Sequence, residues 1–112
     1  MSERHPNFTP TEHANWLAAR AVASATAYLD GRHGVDQLEK QALEIQIELL
    51  AASACQARSI LDPVRLLNIA AMRTARTHGD ARRDRWRQVL ASLVDLVRHE
   101  SNDLRRTGAQ RS

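Results

Sequence analysis

The stretch from Asp36 to Leu61, DQLEKQALEIQIELLAASACQARSIL, holds neither proline nor glycine, and its apolar residues recur at helical spacing. Leu38, Ala42, Ile45, Leu49 and Ala52 form one stripe. Leu43, Ile47, Leu50, Ala54, Ala57 and Leu61 form a second beside it. At about 100° per residue the two stripes cover more than half of the helix circumference, where a surface helix of a monomer shows one stripe of about 100° or a little more. Lys40, Glu44, Glu48 and Arg58 hold the remaining polar strip. Such a helix calls for cover on more than one side, from its own chain and from a second one, and a homodimer through this helix is the simplest way to provide it.

The rest of the chain supplies three more helices. Thr9-Pro10-Thr11-Glu12 writes a helix start, with Thr9 as cap, Pro10 at the first helical position and Glu12 closing a capping box. That helix runs to Leu29 and stops at Asp30-Gly31, where the glycine can take the left-handed conformation. Its interior is rich in small residues, from Ala14 to Ala27, with Trp16, Leu17, Val22, Tyr28 and Leu29 as its bulk. Small side chains let a neighbouring helix come close, and the face anchored by Trp16 and Tyr28 is also a candidate docking surface. Asp36 caps the long helix, with Glu39 three residues on. Asp62-Pro63 ends it, because the residue before a proline disfavours helical geometry. A third helix is expected from Pro63 to Thr77, with Val64, Leu67, Ala71 and Ala75 inward and Arg65, Ile69, Arg73 and Arg76 on another side. After the break at His78-Gly79, Asp80 caps a fourth helix over Ala81–Arg106, closed by Gly108; its stripe is Trp86, Leu90, Leu93, Val97 and Leu104, widened by Val89 and Leu96.

No alternating run or hairpin dipeptide competes with the helical reading. The expectation is a single all-α domain over residues 1–112, a small antiparallel assembly of about four helices, with an N-terminal arm at 1–8 and a frayed end at 108–112. At 112 residues it buries enough surface for a modest core without metal or disulfide. Cys55 is the lone cysteine, which suits a reducing compartment. There is no apolar leader and no run long enough to span a bilayer, so a cytoplasmic location is expected.

Chemistry-bearing constellations are sparse. His5, His13, His33, His78 and His99 are scattered, and Glu44 and Glu48, one turn apart, lack the Glu-x-x-His partners that a di-metal bundle needs. No nucleophile elbow, P-loop or dinucleotide fingerprint occurs. The expectation is therefore no enzyme, no metal and no cofactor. Charge is uneven: residues 1–56 carry four Lys/Arg against seven Asp/Glu, and residues 57–112 carry twelve against six. The cluster Arg73, Arg76, Arg82, Arg83, Arg85 and Arg87 offers an alternative reading as a nucleic-acid-binding surface. Against it, Asp80 and Asp84 would face phosphate, and Arg85 falls where a helix-turn-helix wants an apolar group. The favoured reading is a protein-interaction module, with Trp16, Tyr28, Leu43, Ile47, Leu50 and Ala54 as candidate partner-binding residues.

From HPNFTPTEHANWLAARAVASATAYLDG to THGDARRDRW, the chain resembles the QslA-type quorum-sensing anti-activators of bacteria in length, helical make-up and arginine-rich composition. The resemblance implies a protein that binds the ligand-binding domain of a LuxR-type transcription regulator, competes for its dimerisation surface and so keeps it off DNA. It implies no active site, and it assigns no role to any single residue.

Overall fold

The structure, a computed structural model, describes the backbone of residues 10–51 and 58–111 and the side chains of residues 12–51 and 61–100. Its elements are four helices: α1 (Pro10–Leu29), α2 (Val35–Ala51), α3 (Arg58–Arg76) and α4 (Asp80–Arg111). Among the described residues there is no strand. The 49 Å long axis follows from α4; at about 1.5 Å per residue, its 32 residues span about 48 Å.

α1 has the expected bounds, and its end shows why. Gly31 takes φ +80°. The Arg32 amide donates to the Ala27 carbonyl at 2.8 Å and the Gly31 amide to the Tyr28 carbonyl at 3.0 Å. This is the Schellman arrangement, which satisfies the last carbonyls of the helix and turns the chain toward α2. The small residues of α1 then decide the packing. Ala14, Ala18, Ala21 and Ala25 are buried beside Leu17 and Tyr28, and α1 packs against all three other helices, while among the described residues the backbones of α2 and α4 do not approach one another. In cross-section the bundle is a rhombus with α1 and α3 across its short diagonal. Distance between helices depends on the side chains at their contact, and alanines on α1 permit that short diagonal.

α2 and α3 run antiparallel. Asn68 Nδ2 donates to the Ala42 carbonyl at 3.0 Å, and Arg76 Nε meets Glu39 Oε2 at 2.5 Å, so rising numbers on α2 pair with falling numbers on α3. The chain therefore reverses between Ala51 and Arg58. This corrects the single long helix expected over Asp36–Leu61 and the break expected at Asp62-Pro63: α3 already includes Leu61, and Pro63 sits inside it. An interior proline loses one backbone hydrogen bond and costs about 3 kcal/mol in an unsupported helix. Here Leu61, Val64, Leu67, Ala70 and Ala71 form one unbroken inner face through the proline, all of them buried. That face buries enough apolar surface to hold the turn containing Pro63 in helical form.

Helix starts differ in detail from the sequence expectation. The Leu38 amide donates to the Gly34 carbonyl and the Arg83 amide to the Gly79 carbonyl, so the two glycines occupy the cap positions assigned to Asp36 and Asp80. Those aspartates lie in the first turns instead, where negative charge suits the helix dipole. Gly108 does not close α4, which continues to Arg111. Along the described side chains of α4 the buried apolar residues are Leu90, Val94 and Val97, with Trp86 and Leu93 partly covered; Val89 and Leu96, expected to widen the stripe, face outward. Thr9, the arm at 1–8, Ala54, Cys55 and the side chain of Leu104 lie outside the described residues.

Candidate partner-docking face

α2 separates its two stripes. Leu38, Ala42, Ile45 and Leu49 are buried against α1 and α3. Leu43, Ile47 and Leu50, at i, i+4 and i+7, stay 43 %, 68 % and 72 % exposed. Successive turns of one helix face carry them, so they form a continuous apolar ridge. Between α2 and α3 the ridge borders an open groove of about 820 Å³. Leu49, Leu50, Ile69 and Met72 give the groove its apolar lining, and Arg65, Arg73 and Arg76 stand on its α3 side. Ile69 is 53 % exposed, and Leu66, one turn before it, is also exposed. Groove and ridge share Leu50, so the two are one surface.

The geometry of the groove follows from its walls. Asn68 is buried, and its amide is spent on the Ala42 carbonyl, which fixes the register of α3 on α2. Thr74 is buried too and donates to the Ala70 carbonyl at 2.7 Å within its own helix. Leu49, Leu50, Ile69 and Met72 form an apolar strip along the groove, with Gln46 and Thr77 as neutral polar members of its lining. The arginines supply the positive charge of the lining. Arg65 pairs with Asp62 at 3.1 Å and Arg76 with Glu39 at 2.5 Å, both pairs substantially exposed. Arg73 has no ion-pair partner among the described residues.

The structure does not bring Trp16 and Tyr28 together with the α2 ridge. Trp16 lies on the opposite flank of α2, in the seam with α1. His13 stacks on it with ring centroids 5.7 Å apart, and the Arg20 guanidinium sits 5.1 Å above its ring. His13 Nε2 in turn lies 3.2 Å from Glu48 Oε2, and Arg20 lies 3.8 Å from Glu44. The two glutamates of the polar strip thus anchor α1 to α2. Tyr28 is buried in the core with Arg87 stacked 5.5 Å from its ring centroid.

The arginine cluster is dispersed over several roles. Arg83 Nη2 donates to the Thr77 carbonyl at 2.7 Å, satisfying one acceptor at the end of α3. Arg87 covers Tyr28 and Arg76 holds Glu39, whereas Arg73, Arg82 and Arg85 are exposed. Ile69, Met72 and Leu66 were not among the sequence candidates. Ile69 was visible as the one apolar residue in the Arg65–Arg73–Arg76 face; that Met72 and Leu50 join it became clear only from the pairing of α2 with α3. Among the described residues no group of three or more His, Cys, Asp or Glu side chains is placed to hold a metal ion, and no helix is long and apolar enough to cross a membrane. No family model matches the chain, and no curated protein or solved structure matches it either.

Proposed function

We propose that this chain is a regulatory protein-binding module of the bacterial cytoplasm, which acts by covering an apolar surface that its target needs for self-association. The observation that carries this reading is the ridge Leu43–Ile47–Leu50 merging with the α2–α3 groove. Large aliphatic side chains on three successive turns stand in water beside a preformed trough. A contiguous apolar patch of this kind, rimmed by charge, is what a protein interface presents before it is covered. In the absence of a target the same ridge serves a symmetric homodimer. The resemblance to QslA-type anti-activators gives the target a class: the ligand-binding domain of a LuxR-type regulator, held as a monomer and so kept off its DNA. Capture of that monomer shifts the target's dimerisation equilibrium by mass action.

The test is the oligomeric state of such a domain, followed by sedimentation while this protein is added, with DNA binding read in parallel. The target dimer should disappear as the complex forms, and operator occupancy should fall with it. Raising salt should weaken the complex little, in contrast to the steep salt loss of a phosphate-binding protein. A target that stays dimeric and stays on DNA while this protein is bound overturns the proposal.

A further inference from the structure

We propose that the α2–α3 groove takes an acidic amphipathic helix from the partner protein, with Arg65, Arg73 and Arg76 selecting for its negative charge. This rests on the reading of the face as a docking surface and adds the chemistry of what docks there. Three observations support it. First, shape: the groove is an open trough whose α3 wall runs from Arg65 to Thr77, about 18 Å at helical rise, or three turns of a docked helix. A helix laid in such a trough buries anchors at i, i+3, i+4 and i+7, and the apolar floor of Leu49, Ile69 and Met72, with Leu50 beside it, offers matching contacts.

Second, charge: among the described residues every charged one lining the groove is an arginine. The exposed pairs Arg65–Asp62 and Arg76–Glu39 are worth little in water, so both arginines can turn to an incoming carboxylate at small cost, and Arg73 has no ion-pair partner among the described residues to give up. Rim charges of one sign act mainly on partner choice, through the penalty on like charge, while the apolar floor supplies affinity.

Third, a second copy of this chain is the poorer match for the groove. Its exposed ridge on α2 is flanked by Lys40, while Glu44 and Glu48 are turned to α1, where they meet Arg20 and His13. Of the acidic groups of α2, Glu44 and Glu48 are thus turned to α1, and Asp36 and Glu39, both near its N-terminal end, remain beside the ridge, so a helix acidic along its whole length is the better match for the groove.

The experiment uses the full chain and three fluorescein-labelled helical peptides of about 14 residues, stapled to hold the helix. One carries leucine at the anchor positions and glutamate on both flanks. The second replaces each glutamate with lysine. The third keeps the glutamates and replaces leucine with serine. Anisotropy should show binding of the glutamate–leucine peptide, at least about tenfold weaker binding of the lysine version, and none of the serine version. Arg73→Glu should remove the preference, and Ile69→Gln should weaken both leucine peptides. Circular dichroism establishes that the variants fold; both sites are exposed. Equal binding of the glutamate and lysine peptides, lost together in Ile69→Gln, overturns the charge selection and leaves the proposed function standing. Binding of neither peptide overturns the groove as a helix site. A change in self-association of the chain alone on Arg73→Glu assigns the groove to a second copy and also overturns the inference. A DNA duplex that displaces the glutamate peptide does the same in favour of nucleic acid. The reverse separation exists as well: charge-selective peptide binding alongside an unaltered regulator dimer removes the proposed function and leaves the groove assignment.

Discussion

Replacing Ile47 and Leu50 together by glutamine asks what the exposed ridge of α2 does. The two side chains are 68 % and 72 % exposed. Burying such a side chain fully contributes about 1.5–3 kcal/mol, so each retains roughly 1–2 kcal/mol to give to an interface. In a two-fold dimer each residue acts twice, and covering all four side chains is worth about 4–8 kcal/mol. At about 1.4 kcal/mol per factor of ten, losing most of that raises the dimer dissociation constant by about three orders of magnitude or more. The fold should scarcely notice. Glutamine matches leucine in helix propensity, and an exposed substitution usually moves stability by no more than about 0.5 kcal/mol. Sedimentation velocity over a wide concentration range reads the first quantity. Urea unfolding at concentrations where both proteins are monomeric reads the second, which removes the coupling between association and apparent stability. Two results would refute the reasoning. One is an unmodified protein that remains monomeric at high micromolar concentration. The other is a loss of more than about 2 kcal/mol of monomer stability in the double variant, which would place the ridge in the core.

Other outcomes follow from the same contacts. Leu38→Ala, on the buried stripe of the same helix, should cost about 2–5 kcal/mol in urea unfolding, the opposite of the ridge variant three turns away. Asn68→Ala should cost about 1–3 kcal/mol, since it removes the cross-link to the Ala42 carbonyl and leaves a cavity between α2 and α3; a neutral result would mean the α2–α3 register is held by apolar contacts alone. Gly31→Ala should lose about 1–2 kcal/mol because φ +80° strains any Cβ-bearing residue, although the added methyl meets nothing within 4 Å; Gly31→Asn should recover part of that. Arg83→Ala should destabilise by about 1 kcal/mol through the lost bond to the Thr77 carbonyl, whereas Arg82→Ala, on an exposed side chain, should be silent in the same melt.

Much of the fold was legible because local chemistry fixed it. Pro10 and Gly31 bracket α1 to the residue, since a proline at the first helical position and a glycine with positive φ at the end act on a few neighbouring bonds. The break at Gly79 was legible for the same reason. Inner faces were legible wherever one apolar stripe was bordered by charge, as in Val64–Leu67–Ala71. The reversal between α2 and α3 was not. In the sequence the alanine-rich run after Leu50 continues the helical period, and Pro63 looks like the stop. A proline can be outweighed by the burial of Leu61, Val64 and Leu67 on either side.

The sequence by itself determined the helical class, the bounds of α1 and the presence of more apolar surface on α2 than one neighbour can cover. Only the tertiary structure decided which stripe went inside, that Leu61 belongs to α3, that Trp16 and Tyr28 are engaged within the chain, and that Ile69 and Met72 meet Leu50 across a groove. The physical reason lies in what periodicity records. It marks which residues share a face of one helix, and cannot say which other helix that face will meet. That choice is made by summed burial over the whole bundle, where the short α1–α3 diagonal allowed by alanines leaves α2 with a flank that no other helix covers.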